Sequence, residues 1–118
     1  MRHLIRTDDF STAEIEALLD DAAEFAKGGF NRILQDKIII TLFFESSTRT
    51  RSSFEIAAKR LGAEIVHLDV AKSSTNKGET LVDTATNLDA MGPNAIIVRH
   101  ANSGVPKILS EHTKAAII

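Results

Sequence analysis

The chain has 118 residues, of which 43% are hydrophobic and 25% are charged, a composition typical of one globular domain with a single core. Its formal net charge of −2 argues against nucleic acid or a membrane surface as a partner, because no excess of cations dominates the chain. The sequence has no cysteine, no secretory signal and no stretch near the ~20 apolar residues of a membrane span, so we expect a cytoplasmic protein without disulfides.

The first predicted element is an amphipathic helix that follows a capping box formed by Ser11 and Glu14. Its apolar residues recur at helical spacing and are Ile15, Leu18, Leu19, Ala22 and Ala26. Gly28 and Gly29 end this run. The next segment, residues 38–43, is apolar and rich in β-branched residues without alternation, which predicts a central strand covered on both faces.

Helices and strands are predicted to alternate along the remainder of the chain. The predicted helices cover residues 50–61, 78–91 and 105–112, and the predicted strands cover residues 64–68, 95–98 and 115–118. Alternation at this spacing indicates βαβ crossovers, which place helices on the faces of a parallel sheet. The predicted fold class is therefore α/β, an open parallel four-stranded sheet with helices on both faces, in a single domain over residues 1–118.

The loop after the first predicted strand is a candidate site, because ligands of open parallel sheets bind outside the carboxyl ends of the strands. It runs straight into a helix and supplies the hydroxyls of Ser47, Thr48 and Thr50 and the guanidinium of Arg49. A helix start offers unpaired N–H groups and a partial positive charge, so this segment predicts an anion site. The alternative from these residues alone is a set of ordinary N-caps beside solvated arginines. Nucleotides are disfavoured because the glycine-rich phosphate-binding patterns are absent.

Two further strand ends carry candidate residues. The loop of residues 69–80 is long and polar and contains Lys72 and Lys77, which indicates either a functional segment or a flexible connection that its lysines keep soluble. Arg99 and His100 follow the third predicted strand and add a cation and a titratable imidazole. Because three strand ends supply cations or hydroxyls to one edge of the sheet, we expect a shared binding site there.

Three segments of the chain resemble, in order, the successive motifs of the carbamoyltransferase family. They are Phe44-Glu45-Ser46-Ser47-Thr48-Arg49-Thr50-Arg51, then Ser73 with Lys77-Gly78-Glu79-Thr80 and Asp83-Thr84, and then Val98-Arg99-His100. The resemblance covers essentially the whole chain but only the first of the family's two domains, and it implies a parallel α/β domain that binds carbamoyl phosphate. Ornithine enzymes generally lack the Ser73 and Lys77 pair, so this pair and residues 99–104 favour the aspartate branch.

The resemblance also implies a role for each site residue. The turn from Ser47 through Thr48 to Thr50 cradles the phosphate, and Arg49 neutralises the phosphate leaving group. Thr50 and Arg99 approach the carbamoyl oxygen, so that Arg49, Thr50 and Arg99 are the implied catalytic residues. Such donors stabilise the charge that builds on the carbonyl oxygen and then on the departing phosphate. Ser73 and Lys77 belong to a loop that reaches a neighbouring subunit's site, which implies a homotrimer.

No metal and no other cofactor is expected. Transfer of a carbamoyl group to an amine requires no side-chain nucleophile, and the histidines show no spacing typical of metal ligands. These histidines are His3, His67, His100 and His112.

Members of the family continue beyond the matched motifs with a glycine-rich turn, a His-Pro-Thr-Gln segment, a second domain that binds aspartate and a helix that packs back on the first domain. This sequence contains none of them. We therefore expect the carbamoyl-phosphate-binding half of an aspartate-branch enzyme of pyrimidine biosynthesis, nearly inactive alone and prone to self-association through bare apolar surface. Two alternatives are a stand-alone binding module for carbamoyl phosphate or another small phospho-anion, and an α/β scaffold that binds nothing.

Overall fold

Strands and helices alternate along the part of the chain that the structure, a computed structural model, describes: residues 2–29, 31–70 and 80–118. The helices are α1 (Thr12–Ala26), α2 (Thr48–Arg60), α3 (Leu81–Ala90) and α4 (Val105–His112). The strands are β1 (Ile38–Phe43), β2 (Glu64–Asp69), β3 (Ala95–Arg99) and β4 (Ala116–Ile117). A 3-10 turn, Thr7–Asp9, precedes α1. None of the described helices combines the length and apolar character needed to cross a membrane.

The four strands form one parallel sheet in the order β2-β1-β3-β4. β1 is central and pairs with β2 on one side and with β3 on the other. The register places Phe43, the last residue of β1, level with Asp69 of β2 and with Arg99 of β3. Three strands therefore end together at one edge of the sheet, and the predicted open parallel sheet is confirmed.

Helices cover both faces of the sheet, because side chains of each strand point alternately to opposite sides. On one face, Ile39 and Phe43 of β1 pack in a cluster with Ala58 of α2. On the other face, Ile40 and Leu42 pack in a cluster with residues of α3 and α4. The α3 and α4 members of this second cluster are Ala85, Leu88, Val105 and Leu109. The predicted burial of β1 on both faces is confirmed.

Two predicted helix starts were wrong by a few residues. α2 begins at Thr48 rather than at residue 50, because the Arg51 N–H already donates to the Ser47 carbonyl at 3.0 Å and closes the first turn. α3 begins at Leu81 rather than near residue 78, because Thr80 caps it: its hydroxyl accepts from the Asp83 N–H at 3.1 Å, and Asp83 accepts from the Thr80 N–H at 3.3 Å. Gly78 itself lies outside the described residues.

α1 forms as predicted but buries none of its residues against the described chain. Its N-cap is the predicted one, because the Ser11 hydroxyl accepts from the Glu14 N–H at 3.2 Å. Leu18 and Leu19, on the predicted apolar stripe, are 48% and 65% exposed. Part of the bare apolar surface expected from the sequence therefore lies on α1.

Candidate anion-binding site

The carboxyl edge of the sheet brings Arg99 of β3 against the loop and helix that follow β1. The Arg99 Nε–H donates to Glu45 Oε1 at 2.9 Å, and its Nη1 lies 3.4 Å from the Thr50 hydroxyl oxygen. The backbone N–H of Phe44 donates to the Arg99 carbonyl at 2.9 Å. Two of the sequence-predicted site residues, Thr50 and Arg99, are thus in contact, although 49 residues separate them in the chain.

The start of α2 differs from the starts of α1 and α3 in how its N-cap side chain is used. Ser47 occupies the N-cap position with φ −155° and ψ 82°, yet its hydroxyl makes no capping hydrogen bond to the helix. In α1 and α3 the hydroxyls of Ser11 and Thr80 both bond a first-turn N–H. The ordinary-cap alternative therefore does not describe Ser47, whose hydroxyl and adjacent first-turn N–H groups can serve a ligand.

The charges on the first turn of α2 are opposite to those that stabilise a helix start. The turn contains no acidic residue and carries Arg49 and Arg51 at the positive end of the helix dipole. Arg51 is partly compensated by Glu55, which accepts its Nε–H at 2.7 Å. Within the described residues, the exposed Arg49 guanidinium has no ion pair or hydrogen bond. A bound anion would supply the missing negative charge.

An open cleft of about 830 Å³ adjoins this turn. One wall carries Glu45, Arg99 and His100, and other walls carry residues of the N-terminal segment and of α4, among them Arg6 and Lys107. The Ser47–Thr50 turn does not line the cleft, so the turn and the cleft are neighbouring spaces that meet at Arg99.

His67 lies on the α2 face of the sheet and is held as a neutral side chain. Its Nδ1 is 2.9 Å from the hydroxyl oxygen of the fully buried Thr41, and its ring meets Phe43 edge-to-face at 5.9 Å. Burial lowers the pKa of His67, and the nearby Arg51 charge lowers it further, whereas Glu55 and Asp69 oppose the shift. The imidazole therefore adds little positive charge near the first turn of α2 at neutral pH.

Two predicted site residues, Ser73 and Lys77, lie outside the described residues. Conversely, the sequence interpretation missed Glu45 as the partner of Arg99 and missed the contacts of His100. The Glu45 contact had a readable signal, because Glu45 follows β1 closely and Arg99 ends the strand that pairs with β1. The path of the loop decides whether the two side chains meet, and no feature of the sequence indicates that path.

The fold and the site define a class of protein, an open-sheet α/β domain with arginines and hydroxyls gathered at one helix start. Residues 2–118 match the family model described as "Aspartate/ornithine carbamoyltransferase, carbamoyl-P binding domain". The chain therefore belongs to the aspartate/ornithine carbamoyltransferase family, as the sequence motifs indicated.

Individual relatives agree with this membership. The chain is 81% identical over its whole length to the aspartate carbamoyltransferase catalytic subunit of Sulfurimonas denitrificans and covers 40% of that protein. Its fold matches a crystal structure of the anabolic ornithine carbamoyltransferase of Campylobacter jejuni with a TM-score of 0.90 at 32% identity, covering 100% of this chain and 39% of that one. It also matches aspartate transcarbamoylase from Trypanosoma cruzi in complex with carbamoyl phosphate and aspartate, with a TM-score of 0.86 at 35% identity, covering 98% and 39%.

The chain spans about 40% of the length of the curated relatives that it matches. The similarity therefore bears on the carbamoyl-phosphate-binding part of those proteins, to which the matched family model belongs.

Proposed function

We propose that this chain binds carbamoyl phosphate within an aspartate carbamoyltransferase, which transfers the carbamoyl group to the amine of aspartate in pyrimidine biosynthesis. The observation that carries the proposal is the start of α2, where Ser47 leaves the helix uncapped and Arg49 is unpaired within the described residues. The aspartate branch is supported by the 81% identity to a catalytic subunit of that name, against 32% to an ornithine enzyme of nearly the same fold.

Each residue of the site has a proposed role. The hydroxyls of Ser47 and Thr48, with the first-turn N–H groups of α2, hold the phosphate oxygens. Arg49 binds the phosphate and neutralises it as it leaves. Thr50 and Arg99, already 3.4 Å apart, face the carbamoyl oxygen from two sides of the strand edge.

These positions suit the charge changes of carbamoyl transfer. The amine nitrogen attacks the carbonyl carbon and forms the new C–N bond, and the carbonyl electrons move onto oxygen. That oxygen then returns its electrons, the C–O bond to phosphate breaks, and phosphate departs with the electron pair and takes up the proton that the amine loses. Donors fixed around both oxygens stabilise these charges more strongly than those of the bound substrate.

We further propose that the complete active site needs residues and a domain outside the described part of the chain. Ser73 and Lys77 complete a neighbouring subunit's site in a homotrimer, and a second domain supplies the aspartate site. Residues 1–118 then form one carbamoyl-phosphate-binding domain that transfers little by itself. A cytoplasmic location fits a cysteine-free chain of this class.

Calorimetric titration with phosphate tests the anion site. Arg49→Ala should weaken binding by about 1.5–3 kcal/mol, because it removes a charge-assisted hydrogen bond to the anion. Arg32→Ala is the matched control: it removes the same charge from the loop before β1, at the amino end of the strands, and should leave the affinity nearly unchanged. Equal phosphate affinities of wild type and Arg49→Ala would show that the anion does not bind at this helix start.

A further inference from the structure

His100 makes two contacts that tie together the loops after β1 and β3. Its ring centroid lies 4.6 Å from that of Phe44, with 58° between the ring planes. Its Nδ1 accepts the backbone N–H of Asn102 at 2.9 Å. The side chain is half-buried and lines the cleft beside Arg99.

The hydrogen bond from Asn102 fixes the protonation state of the ring. A nitrogen that accepts an N–H bond carries no proton, so the imidazole is neutral with its proton on Nε2. An imidazolium has no acceptor nitrogen, so a second proton would break the contact with Asn102 and turn two donors toward each other.

Phe44 and Glu45, which follow β1, meet Arg99, which ends β3, and His100, which follows it; we name these four residues the strand-end junction. Phe44 donates its N–H to the Arg99 carbonyl at 2.9 Å, and Glu45 accepts the Arg99 Nε–H at 2.9 Å. The ring contact between Phe44 and His100 is the third link. Arg99 is thus held through its backbone, its side chain and its neighbour.

We propose that His100 is a positioning residue for Arg99, and that anion binding at the α2 start depends on His100 being neutral. The neutral ring, anchored by Asn102 and tilted against Phe44, keeps the end of β3 where the Arg99 guanidinium contacts Thr50, the last residue of the turn that holds the anion. Protonation releases the Asn102 anchor and loosens this end. The predicted dependence of anion affinity on His100 rests on the proposed function, whereas the predicted effect of His100 on the position of Arg99 does not.

The sign of the pH effect on anion affinity distinguishes a positioning role of His100 from a direct effect of its charge. The groups lining the same cleft are Arg99 and Glu45 in the junction, Arg6 and Asp9 in the N-terminal segment, and Lys107 on α4. If His100 acted only through its charge, an added proton would strengthen anion binding. A positioning role predicts the opposite.

Sulfate affinity between pH 5 and pH 8 separates the two roles, because sulfate keeps the same charge over this range. His100→Phe keeps a ring against Phe44 but loses the acceptor, and should bind sulfate about fivefold more weakly at pH 8, the effect of one ordinary hydrogen bond. His100→Asn offers a carbonyl oxygen to the Asn102 N–H and should recover much of this loss. Wild-type affinity should fall toward that of His100→Phe on acidification, while the two variants change far less.

Either of two affinity results would overturn the proposal: equal sulfate affinities of wild type and His100→Phe at pH 8, or a wild-type affinity that rises on acidification. NMR without any anion gives an independent answer. Wild type at pH 8 should show slow exchange of the Asn102 amide, and the Arg99 Nε–H signal should move in His100→Phe and move less in His100→Asn. If wild type binds no sulfate, the proposed function fails, and an unmoved Arg99 signal alone would refute the positioning role.

Discussion

Arg99 shows how much of the site a single residue can reveal from sequence. Its place at the end of an apolar strand was enough to predict a cation at the carboxyl edge of the sheet. Its partners depend on register and loop path: Glu45 and Thr50 reach it because β1 and β3 pair with Phe43 level with Arg99. Composition and periodicity carry no information about that register, so the ion pair appeared only in the structure.

His67 gives the fold a pH dependence with a defined sign. Its pKa is lowered in the folded chain, first by burial and then by the Arg51 charge. The unfolded chain therefore binds a proton at higher pH than the folded one, with a pKa of about 6.5. The free energy of unfolding should be unaffected above that pH, decrease as the pH falls through it, and level off below the folded pKa.

Urea unfolding of wild type and His67→Gln between pH 5 and pH 8 tests this linkage. The variant removes the titrating group but keeps an amide able to bond the Thr41 hydroxyl, which the wild-type ring contacts at 2.9 Å. The stability difference, wild type minus variant, should shrink as the solution is acidified. Parallel curves would show that His67 titrates equally in the folded and unfolded chains.

At the scale of elements, the periodicity of the sequence predicted the type and order of the helices and strands well, but it predicted the first residues of the helices less well. The four strands and four helices of the described chain lie within a few residues of the predicted positions, and Gly62 has the left-handed φ of +92° expected after α2. The α3 start was misplaced because Thr80 and Asp83 form a capping box inside a polar stretch that offers several hydroxyl caps. Ser47 also resembled an ordinary cap, and only the structure shows its hydroxyl unused by the helix.

The difference between the two N-caps predicts opposite phenotypes for the same substitution. Thr80→Ala removes a formed capping box and should cost about 1 kcal/mol of stability without changing phosphate affinity. Ser47→Ala removes no capping bond, so it should cost little stability but weaken phosphate binding. Urea unfolding gives the free energy of unfolding of each variant, and calorimetry gives its phosphate affinity. A stability loss at Ser47 equal to that at Thr80, with unchanged phosphate affinity, would return Ser47 to the role of an ordinary cap.

At the scale of the whole molecule, α1 stands apart from the described core. None of its residues is buried against the described part of the chain, and Leu18 and Leu19 present an apolar stripe to solvent. Sequence patterning predicted the stripe but not what would cover it, because amphipathicity identifies a face and not its partner. Apolar surface of this kind favours association of the isolated chain.

A mixture of two variants tests the proposed trimer and its shared site. If each site combines Arg49 of one subunit with Lys77 of its neighbour, Arg49→Ala and Lys77→Ala chains should each bind phosphate weakly. Any mixed trimer contains one interface with both residues intact, so random exchange of equal amounts should restore about one site in four. Each variant mixed with itself is the control. A monomeric chain, or no recovery despite demonstrated exchange of subunits, would place Lys77 outside any shared site.

The central claim, that a phosphate-like anion binds at the start of α2, is tested most directly by NMR titration of the ¹⁵N-labelled chain with a stable phosphonate analogue of carbamoyl phosphate. We predict that the largest shifts occur at the backbone amides of residues 48–51, which donate to the phosphonate, and at the Arg99 guanidinium, which faces the carbamoyl oxygen of the analogue. A second basic pair, Arg32 and Lys59, lines a shallow hollow of about 360 Å³ near the amino end of β2 and serves as the internal reference. Shifts centred on that pair, or none at the α2 start at saturating analogue, would contradict the account.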